Sequence, residues 1–174
     1  ADVTNRRAEG RLAQAVATAA APSALSAGSE VWLFCLRLMS ARYAVEASLV
    51  TEVVRLGPLT RIPAAPGFLP GVFTHRGEVL AVVDIQQLVG QAAIAINPNT
   101  RAAIAHCGSW KVALLTEGIE GLVCLPSSAI ETPPAATVGA AEFHSGVGRD
   151  KKGELAILDL KRLVEVARAR SVPT

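Results

Sequence analysis

Apolar residues come in short runs cut by glycine, proline and charge, a pattern that predicts many brief strands. Glu30–Met39, EVWLFCLRLM, predicts a strand with Leu33, Cys35 and Arg37 on one face and Trp32, Phe34, Leu36 and Leu38 on the other. Ser40–Arg42 predicts a turn, Tyr43–Val45 a second strand, Glu46–Val50 one helical turn and Glu52–Arg55 a third strand. Leu59–Pro70 holds three prolines, so neither a central strand nor a long helix fits it. It predicts an ordered connection anchored inward by Ile62, Phe68 and Leu69.

Gly71–Thr74, a turn at Arg76–Gly77 and Val79–Asp84 predict a hairpin whose second strand is buried. Gly77 supplies the backbone freedom of a tight turn, and Asp84 stands where it caps the short amphipathic stretch Ile85–Leu88. After a break at 91–101, with a turn at Asn97–Asn99, strands follow at Ala102–Cys107, Trp110–Leu115 and Ile119–Leu125. A second proline-marked connection runs from Pro126 to Pro134, a strand is expected near Phe143–Val147, and Gly148–Gly153 reads as a charged turn. Glu154–Leu160 then leads into an amphipathic helix over Lys161–Arg168 with Leu160, Leu163, Val164 and Ala167 as its apolar stripe.

The second half echoes the first. Arg76-Gly77-Glu78, an apolar strand, Asp84 and Leu88-Val89 recur as Lys152-Gly153-Glu154, an apolar strand, Asp159 and Leu163-Val164, one residue shorter. A hairpin, a Val-rich strand and a proline-marked connection precede each copy. The fold class is therefore mainly β: two small, interleaved five-stranded barrel lobes of roughly 70 residues each, dividing near 90–101 and too small to stand apart. They are expected to share a hydrophobic core, with short helices and a C-terminal helix. The domain spans 29–168, with a short tail at 169–174. Residues 1–28 are expected to be a flexible tail or a marginal helix over Arg7–Ala19. Arginines ahead of an alanine-rich tract give that segment a slight likeness to a signal peptide, but its centre is weakly apolar.

The 174 residues are 51% hydrophobic, 18% charged and 4% aromatic, with mean hydropathy +0.37, which excludes a disordered chain. Seventeen basic against 15 acidic residues leave a net charge of +2, and basic residues do not cluster with aromatics, so no nucleic-acid platform is expected. No apolar run approaches the roughly 18 residues of a membrane span, so no direct membrane insertion is expected. Cys35, Cys107 and Cys124 each sit singly in apolar runs and read as buried free thiols of a reducing compartment. His106 and Cys107 are neighbours on a strand, hence on opposite faces, and a metal site is not expected among His75, His106 and His144. A Cys107 or Cys124 pair with His144 lacks an electropositive setting. Asp84 and Asp159 suit caps better than an acid–base pair, and no phosphate loop or nucleophile elbow is present. No catalytic residue, cofactor or metal is expected. What remains is surface, with Arg76 at a hairpin tip as either a solvated charge or a contact.

Tyr43-Ala44-Val45, Val50-x-Glu52-Val53, Thr60-Arg61-Ile62-Pro63 with Pro66, Gly71-Val72, Arg76-Gly77-x-Val79 and Val82-Val83-Asp84-Ile85 together resemble the CheW-like adaptor family of bacterial chemosensory arrays. The second half, from Gly118-Ile119 to Leu158-Asp159-Leu160, matches more loosely, and the likeness covers roughly Glu30 to Val166. The resemblance implies SH3-like barrels and a non-catalytic adaptor in the cytoplasm, associated with membrane-bound receptor arrays. It would bridge a methyl-accepting chemoreceptor's cytoplasmic tip and the regulatory domain of a CheA-type histidine kinase. It implies protein-binding roles for Val50, Glu52, Gly71, Arg76 and Gly77, positions that ordinary core or turn needs would equally explain. Thr74-His75 stands where the family usually has Asn-Leu, and an acidic residue common in the second lobe is displaced. A flagellar, pilus or gliding pathway fits alike. A structural or assembly protein that keeps the fold without coupling receptor to kinase is the alternative.

Overall fold

The computed structural model describes residues 29–133 and 140–172. The expectations for the N-terminal tail and for the small stretch 135–139 fall outside those residues. Five strands come before the 91–100 connection: β1 Glu30–Leu38, β2 Ala41–Glu46, β3 Val50–Arg55, β4 Gly71–His75 and β5 Glu78–Asp84. Five follow it: β6 Arg101–Cys107, β7 Trp110–Leu115, β8 Gly118–Pro126, β9 His144–Asp150 and β10 Gly153–Leu158. Helix α1 spans Ile85–Leu88 and α2 spans Leu160–Ser171, so the last helix runs beyond the expected boundary at 168. A 3-10 turn at Ala47–Leu49 lies where one helical turn was expected.

The strands assemble into two five-stranded sheets of mixed direction, ordered β8-β1-β2-β10-β9 and β3-β6-β7-β5-β4. Each sheet therefore draws strands from both sides of 91–100, and a division there does not separate the lobes. The hairpin β1–β2 leaves β3–β5 and joins β8–β10, while β6–β7 fills the matching place beside β3–β5. Parallel pairs β2·β10 and β7·β5 make the two joins, and antiparallel pairs β1·β8 and β6·β3 complete them. In both sheets the strand next to the hairpin carries a bulge, at Thr51 against Ala105/Ile104 and at Glu120 against Cys35/Leu36. The outermost strands are reached by the segments that follow β3 and β8. Single bridges link Thr60 to Val72 and Glu131 to Val147.

The repeat is closer than its letters suggest. Asp84 N–H donates to Phe68 O at 2.8 Å, and Asp159 N–H to Phe143 O at 2.7 Å. At one constant spacing Gly71 answers Gly146, Val72 answers Val147, His75 answers Asp150 and Asp84 answers Asp159. Both hairpins have two-residue turns, at Arg76–Gly77 and Lys151–Lys152. The match of Arg76-Gly77-Glu78 to Lys152-Gly153-Glu154 is thus out of register by one residue, and no residue is missing. Gly77 lies in its turn, whereas Gly153 opens β10.

Strand β1 is buried on both faces because it sits between two cores. Phe34, Leu36 and Leu38 join the main cluster with Val82, Val83, Ile104, Leu114 and the α2 stripe Leu160, Leu163, Val164 and Ala167. Leu33 and Cys35 point the other way, into a smaller cluster with Ala44, Leu125, Leu155 and Ile157. The main cluster spans both sheets, so a shared core is present. Two expected inward residues face out instead: Ile62 is 41% exposed and Val79 is 68% exposed. Ile62 opens a proline-constrained turn that swings it away from the anchors Phe68 and Leu69, and Val79 lies at the free end of β5 beyond the parallel pairing with β7.

Candidate functional site

The β4–β5 turn places Arg76 and Gly77 at φ 49° and 79°, the left-handed pair a two-residue hairpin needs. A Cβ on Gly77 would meet nothing within 4 Å, so conformation, not space, calls for glycine there. For Arg76 the same conformation is strained. Met39 and Ser40 adopt it too in the β1–β2 turn, so strain alone marks no site. Gly71 has the opposite cause: a Cβ there would lie 2.6 Å from Thr60 O, against the bridge that carries the proline-rich segment onto β4.

Glu52 reaches from β3 across to this hairpin. Its Oε1 accepts from His75 Nε2 at 3.1 Å and its Oε2 lies 3.3 Å from Arg76 Nη2. With a carboxylate opposite, the Nε2–H form of the imidazole donates. The His75 ring also packs tilted against Phe73, with centroids 6.2 Å apart. Lys111 on β7 pairs with Glu78, beside the turn of the same hairpin. Three of the expected contact residues, Glu52, Arg76 and Gly77, are thereby brought together at one end of the β3–β7 sheet. Val50 pairs with Ala105 and is buried in the main core, and Gly71 is buried beneath the hairpin.

The other sheet carries an ionic cluster at the matching place. Arg42, the β2 residue that answers Lys111, donates Nη1 and Nη2 to Asp150 Oδ1 and Oδ2 at 2.7 Å each and Nε to Glu120 at 2.8 Å. Arg37 adds a longer contact to Glu120 at 3.3 Å. Asp150 ends β9 as His75 ends β4. The guanidinium beside it holds the Asp150 carboxyl at about 2, and Glu120 is lowered by the same partner. Arg42 is only 15% exposed and its fork is filled, whereas Arg76 is 75% exposed and touches one oxygen. Arg37, at the margin of the Arg42 cluster, is 54% exposed, so both sheets carry an arginine open to solvent, and Arg76 is the more exposed of the two. Arg42 falls in the segment expected to be a turn, and its acceptors lie 78 and 108 residues away, so the sequence hid this cluster.

The remaining chemistry is quiet. Burial pushes the Cys35 thiol up to about 11 and raises Cys107 and Cys124 as well, so none is the thiolate a nucleophile requires. His144 packs edge-on to Tyr43, and burial lowers its pKa and keeps it neutral. Asp84 accepts from Gln86 N, Gln87 N and Ile94 N, and Asp159 accepts from Arg162 N, so both aspartates are caps. Among the described residues no three His, Cys, Asp or Glu side chains converge as metal ligands, and no helix is long and apolar enough to cross a membrane.

A family model described as CheW-like domain matches residues 33–168. The chain is 35% identical over 151 residues to Protein FrzA of Myxococcus xanthus, covering 86% of this chain and 94% of that protein. It is 25% identical over 138 residues to Chemotaxis protein CheW of Klebsiella aerogenes, covering 79% and 82%. Among solved structures, the scaffolding protein TtCheW from Thermoanaerobacter tengcongensis superimposes with a TM-score of 0.72 at 23% identity, covering 79% of this chain and 94% of that one. That last likeness is one of fold.

Proposed function

Because this chain belongs to the CheW-like domain family, we propose that it is a non-catalytic adaptor that couples chemoreceptor cytoplasmic tips to the regulatory domain of a CheA-type histidine kinase. It works in the cytoplasm, at membrane-bound receptor arrays. The observation that carries the site is the hairpin tip at which Arg76, 75% exposed, stands over Glu52, where the matching place of the other sheet holds the enclosed Arg42. A guanidinium that closes no sheet and offers most of its donors to solvent suits a partner's polar or acidic groups. Gly77 fixes where the tip points. Val50 and Gly71 act from beneath, by setting the level of β3 and β4 under the contact surface. Each five-stranded sheet closes as an SH3-like barrel, its open edges drawn together by the Thr60–Val72 and Glu131–Val147 bridges and by these clusters.

Such a protein acts through geometry: holding receptor and kinase at a fixed spacing lets a small receptor displacement bias the kinase. The test is copurification of a receptor-tip fragment and a kinase regulatory domain, each with wild type and with Arg76→Glu. Wild type should retain both, and Arg76→Glu should lose at least one with its melting temperature unchanged. Retention of neither by wild type overturns the adaptor role and leaves a structural protein of the same fold. Parallel loss of binding and melting temperature in Arg76→Glu makes Arg76 part of the fold.

A further inference from the structure

Trp110 opens β7 directly after the Gly108-Ser109 turn, on the strand face that carries Val112 and Leu114 into the main core. Helix α2 adds Leu160, Leu163, Val164 and Ala167 to that core. The indole reaches beyond them to the helix's last turns and stays 45% exposed. There the Arg168 guanidinium lies over its ring, 4.4 Å from the centroid. Beside this pair is a slot of about 290 Å³ lined by Trp110, Val164, Glu165, Arg168, Ala169 and Val172. Val172 is 66% exposed, so two of the large hydrophobics left open on the described surface gather at one spot.

The charges around the slot are unequally committed. Arg162 and Arg170 on the same helix face Glu142, and Arg170 also donates to Leu88 O at 3.1 Å. Lys111 is taken by Glu78. Arg168 pairs with no carboxylate among the described residues, not even with Glu165 one turn earlier on the helix. A guanidinium stacked by its face keeps the N–H fork at its edge for a planar anion. The slot thus offers a fork to a carboxylate and an indole wall to an aliphatic side chain, side by side. Glu165 discourages a second acid one turn away. Strands β5 and β7 run parallel, so Trp110 begins its strand at the same end of the sheet as Glu78, which flanks the Arg76-Gly77 turn. Resting on the adaptor reading, we infer that this slot is a second docking point for the partner that meets Arg76, taking an acidic residue beside an aliphatic one on that partner's surface. The carboxylate closes on Arg168, and the aliphatic group fills the space against Trp110, Ala169 and Val172. Two anchors at one sheet end fix the partner's rotation, which a single tip arginine leaves free.

The test labels the chain with fluorotryptophan and follows its two indoles by fluorine NMR, with Trp32→Phe assigning the signals. Unlabelled receptor-tip fragment or kinase regulatory domain is added, and affinities are read by calorimetric titration. The fragment that Arg76→Glu weakens should shift the Trp110 signal. Arg168→Glu should weaken that fragment by about tenfold or more, the scale of an anchor residue at an interface. Ala169→Leu plugs the slot with another strong helix former and leaves Arg168 and Trp110 in place. It should weaken binding by about as much, with its melting temperature unchanged. A Trp110 signal that stays put while wild type binds and Arg76→Glu does not overturns the inference and leaves the Arg76 site standing. Loss in Arg168→Glu without loss in Ala169→Leu reduces the slot to a charge and overturns it. A Trp110 signal that moves with the chain's own concentration assigns the slot to a second copy and overturns it as well. A shifted Trp110 signal with full binding by Arg76→Glu upholds the slot and overturns the Arg76 contact. Binding of neither fragment by wild type overturns the adaptor role and this inference with it.

Discussion

Asp150→Asn removes the charge at the centre of the β1/β2/β8/β9/β10 sheet's ionic cluster while keeping its shape and one acceptor oxygen. In the wild type both carboxylate oxygens take a guanidinium N–H at 2.7 Å, and Lys152 N–H donates to Oδ1 at 2.8 Å. Arg42 and Asp150 are each well shielded, at 15% and 13% exposure, so solvent screening discounts the pair little. Holding the carboxyl at about 2, against an ordinary 3.8, corresponds to about 2 kcal/mol of folded stability. For a chain of this length that is about 4–8 °C in melting temperature. The pH dependence follows from the sign. The folded pKa is lowered, so the stabilisation is complete above 3.8 and is lost as pH falls through 2. Urea unfolding should therefore place Asp150→Asn about 2 kcal/mol below wild type at pH 7 and about 1 kcal/mol below it at pH 3. A gap under about 0.5 kcal/mol at pH 7, the size of an ordinary surface change, or a gap of unchanged size at pH 3 would refute the reasoning.

The two caps differ in burial, so they should differ in cost. Asp84→Ala strands three buried or half-buried N–H groups, at Gln86, Gln87 and Ile94, and should lose about 2–3 kcal/mol in urea unfolding. Asp159→Ala frees one exposed N–H, at Arg162, and should lose about 1 kcal/mol; equal losses would contradict the burial argument. Gly71→Ala forces a methyl group towards Thr60 O at 2.6 Å and should cost about 1–3 kcal/mol by melting temperature or urea. Gly77→Ala meets open space and should cost only the left-handed backbone strain of about 1–2 kcal/mol.

Local features of this fold were legible in the sequence. The alternation along Glu30–Leu38 sorted Leu33 and Cys35 from Phe34, Leu36 and Leu38 correctly, because a strand's side chains must point to opposite faces. Asp84 and Asp159 were readable as caps because a cap bonds to N–H groups two and three residues on. The lobes were expected to interleave, but which strands cross was not readable, since the pairs β2·β10 and β5·β7 are chosen by packing over long separations, which no run of letters encodes. The repeat was found, but identical Gly-Glu letters pulled its register one residue away from the true correspondence, which strand pairing and turn length set. Glu52, Arg76 and Gly77 were placed by resemblance and do converge. His75 looked like a mere departure from the family's pattern, because its partner is 23 residues away and no local rule joins them.

The strand exchange bears directly on how an adaptor of this kind would transmit a displacement. If each repeat had formed its own sheet, the two lobes would meet only through side chains, and relative motion would be the default for an interface of that size. Here each sheet is completed by a hairpin that is covalently continuous with the other, and the main core runs through both. Separating the lobes would break the β1·β8, β2·β10, β3·β6 and β5·β7 ladders as well as the core. That ties the movement of one sheet to the movement of the other without a hinge between them. A partner docked at the Arg76 tip, as proposed, would then be referred to the opposite sheet through these backbone ladders. The duplication thus supplies two similar sheets, the exchange makes them one body, and the ionic clusters at their matching ends differ in the groups that fill them: Arg42 with Asp150 and Glu120 in one, His75 and Arg76 with Glu52 in the other.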